Sequence, residues 1–217
     1  MSVRTRLGRF GAAASCAVAV ASCGSSTKTT SSAKSSPQPA FAKSVVLQRL
    51  TGTVRIKVPS AAAFFKLRGA RQVALGSVID ARAGLVRLTG ASTFPGKFAV
   101  GDFNNGQFEV LQSSTGNGVV QLIIQDSKSE QTTCAGANGS RKQTTTLLGL
   151  LLGSGQGQFQ TRGEFSAASV SGTDWGVRNR CDGTLTVDRK GTVAVTDFRL
   201  HKTVTLHAGQ TYLARAA

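Results

Sequence analysis

The chain is 217 residues long and carries 26 Lys and Arg against 10 Asp and Glu, a formal net charge of +16. That length suits one domain of ordinary size behind a leader and a linker, and such a domain can bury a real core. So basic a balance favours polyanionic partners, while ten acids scattered singly leave no local carboxylate pair for acid–base chemistry.

Met1 to Ser22 has the form of an export signal. Arg4, Arg6 and Arg9 supply the positive start, and Phe10 to Ala21 a mostly apolar run of twelve residues, short of the about 20 that a bilayer-spanning helix needs. The run ends in Val20-Ala21-Ser22-Cys23-Gly24. This resembles the lipobox of lipoprotein signal peptidase, in which small residues admit the chain to the cleavage site and the cysteine thiol takes the diacylglycerol. The expectation is a membrane anchor at Cys23; the alternative is an ordinary cleaved secretory signal in which Cys23 is incidental. Ala14-Ser15-Cys16 imitates the motif, but the apolar run continues past it.

Residues 23–44 form a linker rich in Ser, Thr and Lys, with Pro37 and Pro39 and almost no large apolar residue before Phe41. Such a segment buries too little surface to offset its ordering entropy, so disorder is expected, with ends about 25 Å apart. Its Ser31-x-x-Lys34 spacing resembles a penicillin-binding motif, but catalysis needs a rigid scaffold.

From Val45 the period of two predicts strands at Val45–Leu50, Thr53–Val58, Ser77–Ala81, Leu85–Thr89, Lys97–Phe103, Gln107–Gln112 and Val119–Gln125. Val54, Ile56 and Val58 face inward and Arg55 and Lys57 outward. Asn104-Asn105-Gly106 reads as a hairpin turn. Gln125 to Lys142 is polar and reads as a long loop around Cys134. Thr144 to Leu152 is the most apolar run after the leader, a strand buried on both faces or placed at a subunit contact. Gly153-Ser154-Gly155-Gln156-Gly157 lacks the Lys-Ser/Thr of a phosphate loop. The fold class is therefore all-β, an antiparallel meander forming a sandwich or roll, with residues 45–217 as a single domain.

Cysteine parity points the same way. With Cys16 in the leader and Cys23 acylated, Cys134 and Cys181 remain in a chain sent where disulfides persist, and we pair them. The bond would stabilise the fold by about 4 kcal/mol in the chain-entropy picture. Two free buried thiols are the alternative; a zinc site is disfavoured because neither has a Cys or His at ligand spacing.

The last third is another succession of short β segments. Val193 and Val195 alternate with Thr192, Ala194 and Thr196, and Val204 and Leu206 with Thr203 and Thr205, while Asp188-Arg189-Lys190-Gly191 and Ala208-Gly209 supply turns. The order Gly172-Thr173-Asp174-Trp175, then Asp182-Gly183-Thr184, then Gly191-Thr192-Val193-Ala194-Val195, then Val204-Thr205-Leu206-His207-Ala208-Gly209-Gln210 resembles the FecR-like domain. An echo at Gly52-Thr53-Val54-Arg55-Ile56, Leu75 to Asp80 and Val86-Arg87-Leu88 resembles its opening, while Thr93 to Gly163 falls outside the likeness. The resemblance implies a non-enzymatic module working outside the cytoplasm. Its better-known members are periplasmic sensors that signal through a transmembrane helix; this sequence shows no such helix after the leader, so a sensory role would need a membrane partner.

Little else suggests chemistry. His201 and His207 are expected on the outward face of one strand, about 20 Å apart, and cannot share a metal unless that strand is broken between them; no nucleophile–base pair is legible, and no cofactor or metal is expected. Trp175 is most simply a core residue, alternatively a stacking platform for a sugar or base. Without the leader's three arginines the +16 falls to +13, which favours an anionic envelope polymer, anionic headgroups or an envelope protein as partner, with no specific nucleic-acid recognition. The expected contact residues are Arg189, Lys190, Arg199 and Lys202, which fall in turns or at outward parity. The function expected is a non-enzymatic, envelope-tethered binding or structural module; the rival is an exported hydrolase or carbohydrate-active protein whose acidic residues meet only in the fold.

The covalent reading is tested by the intact mass of membrane-extracted protein. The expected species starts at Cys23, carries added acyl mass and weighs two hydrogens less than its reduced form; a chain starting elsewhere without lipid rejects the anchor.

Overall fold

Alternating Val, Leu, Ile and Thr give thirteen strands in the computed structural model, which describes residues 36–115, 117–126, 132–136 and 140–216. They are β1 (Ser44–Lys57), β2 (Phe65–Lys66), β3 (Arg71–Ala74), β4 (Ser77–Ala91), β5 (Phe98–Asn104), β6 (Gln107–Gln112), β7 (Val120–Ile124), β8 (Leu147–Arg162), β9 (Ser166–Arg180), β10 (Gly183–Lys190), β11 (Thr192–Asp197), β12 (Lys202–His207) and β13 (Thr211–Arg215). The expected signal peptide, Cys23 and most of the expected linker lie outside the described residues. The ordered body begins a little before Val45: the amides of Lys43 and Ser44 donate to the Ala40 carbonyl, and the Ala42 amide to Gln112 Oε1 at 3.1 Å.

The all-β class is what the chain adopts, but its strands close into a barrel. Two long antiparallel pairs, β1 with β4 and β8 with β9, form the frame. Strand β4 continues through β5 to β8, and β8 returns through β7 and β6 to β4, so the ring β4–β5–β8–β7–β6 has no free edge. The β7–β8 pair is parallel, which a meander of hairpins does not produce. Outside the ring, β2 and β3 edge β1, while β10–β13 and β11–β12 extend β9.

Several expected breaks are bends within longer strands. The predicted strands Val45–Leu50 and Thr53–Val58 are one strand, β1, and Ser77–Ala81 and Leu85–Thr89 are one strand, β4; both bend where Gly52 faces Gly84. Gly52 has φ +63°, and a Cβ there would lie 2.3 Å from the Ala83 carbonyl oxygen. The Asn104-Asn105-Gly106 hairpin is likewise corrected. Strands β5 and β6 do not pair with each other; both run along β4, one after the other. Asn105 does take positive φ, 62°, but to form a bulge opposite Ala81, which exchanges hydrogen bonds with Asn105 and Gly106. The local conformational signal is the same for a reversal and for a barrel corner, and the partner strand decides between them.

The core is organised in cross-strand rows. One inward row runs Val86, Phe103, Gly153, Trp175, Asp188 across β4, β5, β8, β9 and β10; the next runs Leu88, Gly101, Gly155, Thr173. Glycine at 153 lets the rings of Phe103 and Trp175 meet over it edge to face, 5.9 Å apart. Phe108 and Phe159 complete the cluster at 5.8 and 5.3 Å from Phe103. The Trp175 indole N–H donates to Thr161 Oγ1 at 2.9 Å, so this buried ring is core with its polar end satisfied.

Of the long polar loop, the described part is held from two sides. Cys134 and Cys181 form the expected disulfide, with Cα atoms 5.2 Å apart. Arg141 donates to the Cys181 carbonyl at 2.8 Å, grips both oxygens of Glu164, and stacks on Phe165. The apolar run Thr144 to Leu152 supplies the start of β8, with Leu148 and Leu151 buried, Leu150 and Leu152 half-buried and Leu147 exposed.

Gly153→Val places its Cβ 2.7 Å from Trp175 and 2.9 Å from Phe103. Urea denaturation should show a loss of about 3 kcal/mol, whereas Gly69→Val, with nothing within 4 Å of the new Cβ, should change stability by less than about 0.5 kcal/mol.

Candidate functional site

Because side chains alternate along a strand, the rows that carry the aromatic core also set the row on the outer face. Arg87 pairs with Asp102, Asp102 with Ser154 and Ser154 with Asp174 across β4, β5, β8 and β9, and Asp174 pairs with Lys190 of β10 past a β-bulge at Arg189. Four strand spacings make this row about 19 Å long. Its order is cation, anion, hydroxyl, anion, cation, with no net charge. Arg87 donates from Nε and Nη2 to the two oxygens of Asp102, both at 2.8 Å, and this bond pushes the guanidinium further toward the charged form. Among the described residues the Asp174 carboxylate has neither a hydrogen-bond nor an ion-pair partner.

The row lies in an open groove of about 930 Å³ also lined by Val100, Gln156, Ser171 and Thr173, with Gly172 on its wall. A Cβ on Gly172 would meet nothing within 4 Å. Behind the wall, fully buried Asp188 accepts from Thr173 Oγ1 at 3.2 Å and from the Lys190 amide at 3.0 Å, which fixes both lining residues from beneath.

This is where the hydrolase alternative meets its geometry. Asp102 and Asp174 share the groove, two strands and so about 10 Å apart between Cα atoms. Both are only half-buried, and both oxygens of Asp102 already accept from Arg87. The pair lacks the sheltered acid that glycoside cleavage requires. The buried acids elsewhere are structural: Asp80 holds Arg55 and Arg82, Asp182 holds Arg180, and Asp197 accepts from Tyr212 and two backbone amides. Among the described residues no group of three or more His, Cys, Asp or Glu is placed to hold a metal ion.

A second surface is cationic. Strands β2 and β3 bring Lys66, Arg68 and Arg71 beside Arg49 of β1, around two adjoining concavities that share Lys66, Leu67 and Arg68 and that no acidic residue lines. None of the four cations enters an ion pair among the described residues; Arg49 donates to the Gly52 carbonyl at 3.3 Å and Arg71 lies over the Phe65 ring. Nearby Arg55 sits over Phe64, which is 37% exposed.

The contact residues expected from sequence are exposed but not gathered. Arg189 and Lys190 lie at one end of β11 and Arg199 and Lys202 at the other, separated by about 17 Å of strand. Lys190 belongs to the groove, and Lys202 lies over the Tyr212 ring. His207 ends β12, while His201 stands in the turn before it with φ 49°; both are exposed. Of the residues quoted for the FecR-like resemblance, Gly172, Thr173 and Trp175 lie on β9, Asp182 in the β9–β10 turn, Gly183 at the start of β10, and Gly191 and Gly209 in turns at φ 102° and 85°. The cationic edge was missed because its members are distributed along the sequence from 49 to 71. Compared with models of protein families, with curated proteins and with solved structures, the chain matches none.

Burial alone would raise the Asp80 pKa, but hydrogen bonds from Arg82 and Arg55 outweigh it and hold the carboxyl at about 2, below the ordinary 3.8. A value depressed on folding stabilises the protein above pH 4 and ceases to do so as pH falls toward 2. Asp80→Asn should therefore cost about 2 kcal/mol at pH 7, a difference that shrinks through that acidic window in parallel urea titrations.

Proposed function

We propose that the chain is an exported, envelope-tethered binding module without catalytic activity, and that it holds an anion-bearing component of the envelope through the edge formed by β1, β2 and β3. The observation that carries this reading is the convergence of Arg49, Lys66, Arg68 and Arg71, unopposed by any lining acid, on a chain of net charge +16. Arginine and lysine on an edge strand also keep it from pairing with another chain, so the surface is suited to a polyanion and unsuited to a further strand. The leader, the Cys23 lipobox and the Ser/Thr/Lys-rich linker support a location outside the cytoplasm, tethered to the membrane; the disulfide is compatible with it. The likeness to FecR-like domains supports a non-enzymatic role, and any sensory part in it passes through a membrane partner. Among the described residues no helix is long and apolar enough to cross a membrane.

Attraction between exposed charges weakens as the Debye length falls from about 10 Å at 0.1 M salt to about 3 Å at 1 M. Envelopes carrying the unlipidated Cys23→Ser form should retain it at low salt and release it at high salt. Neutralising Arg49, Lys66, Arg68 and Arg71 together should abolish retention, and neutralising Arg189, Lys190, Arg199 and Lys202 should weaken it less. A protein freely soluble at low salt, or one whose retention survives the first set of changes, would overturn the proposal.

A further inference from the structure

The groove over β4, β5, β8, β9 and β10 differs from the cationic edge in its electrostatics, and that difference selects its ligand. An anion that enters it meets Asp102 and Asp174, and a cation meets Arg87 and Lys190, so each charged class is opposed by one half of the row. An apolar ligand would strip water from four charged groups without replacing their hydrogen bonds. What remains is an uncharged molecule dense in groups that both donate and accept. Hydroxyls do this, and the lining alternates donors and acceptors to match: Arg87 and Lys190 donate, Asp102 and Asp174 accept, and Ser154, Gln156 and Ser171 do both.

Shape narrows the class further. The groove is open and runs the length of a row of about 19 Å, so it suits a chain passing across the sheet rather than a small molecule enclosed in a pocket. Gly172 leaves one wall without a side chain, which lets a ring lie close to the backbone, and half-buried Val100 offers a small apolar surface for ring C–H groups. Asp174 is poised without a partner, and Asp188 fixes Thr173 and the Lys190 backbone from beneath, so part of the lining is set before any ligand arrives.

We infer that this groove binds a linear, uncharged polysaccharide, with Asp174, Lys190, Ser154 and the Arg87–Asp102 pair hydrogen-bonding successive sugar hydroxyls. The site is independent of the cationic edge, and the inference does not rest on the contact proposed for that edge.

The test is calorimetric titration of the full-length chain in detergent with uncharged hexasaccharides: the α1,4- and β1,4-linked glucans, the β1,4-linked mannan and the β1,4-linked N-acetylglucosamine oligomer, beside a hexamer of galacturonate. At least one uncharged hexamer should bind, with an affinity that 0.1 M and 1 M salt leave equal. Gly172→Phe fills the groove from a position with open space, so its thermal unfolding should match wild type while affinity falls at least about tenfold. Asp174→Asn, isosteric and away from the core, should lower affinity in the same direction. Neutralising Arg49, Lys66, Arg68 and Arg71 should leave sugar binding unchanged, which separates this site from the cationic edge. Failure of every uncharged hexamer to bind at millimolar concentration overturns the inference. So does binding that Gly172→Phe leaves intact, or a salt-sensitive preference for the galacturonate hexamer.

Discussion

The contact of Trp175 with Phe103 across Gly153 is the constraint on which the rest of the molecule depends. It joins three neighbouring strands of one row, and with Phe108 and Phe159 it fills the space that the ring of strands encloses. The contact is possible only because three inner positions, 101, 153 and 155, lack side chains. A methyl group at any of them would press on an aromatic ring or on backbone, and in a close-packed interior such overlap has nowhere to go.

Register follows from the same contact. A strand displaced by one residue exchanges its two faces, so the seating of Trp175 and Phe103 also places Asp174 and Asp102 on the outside, with Ser154 between them. The outer row from Arg87 to Asp174 is thus a consequence of the inner one, and the bulge between Asp188 and Lys190 adds Lys190 to it. Asp188 links the two layers, since it shares the inner row with Trp175 while holding Thr173 and the Lys190 amide that line the groove. The arrangement of this surface is coupled to the packing beneath it through alternation along β4, β5, β8 and β9.

Charge is handled differently at the two surfaces. At the groove, Arg87 is matched by Asp102 and Lys190 stands opposite Asp174, so the field is local and short-ranged. At the β1–β2–β3 edge the cations have no acid among them, and the excess is free to act at a distance set by salt. Buried acids elsewhere keep Arg55, Arg82 and Arg180 occupied. The net charge of the chain therefore says less about contact than the subset of cations left unmatched.

Period-two alternation of apolar residues and glycine punctuation were enough, by themselves, to determine the all-β class and the inward placement of Val54 and Ile56, and cysteine parity favoured the Cys134–Cys181 bond. These are local or pairwise properties, and local sequence carries them. Which strands become neighbours is not local. Asn105 has the same preference for positive φ in a hairpin as in a bulge, and only its position opposite Ala81 on β4 makes it a barrel corner. Arg87, Asp102, Ser154, Asp174 and Lys190 span more than a hundred residues and no spacing rule connects them. Arg49, Lys66, Arg68 and Arg71 converge only because β2 and β3 fold back along β1. The pairing of distant strands decided both surfaces, because hydrogen-bonded register aligns residues across strands without regard to how far apart they lie along the chain.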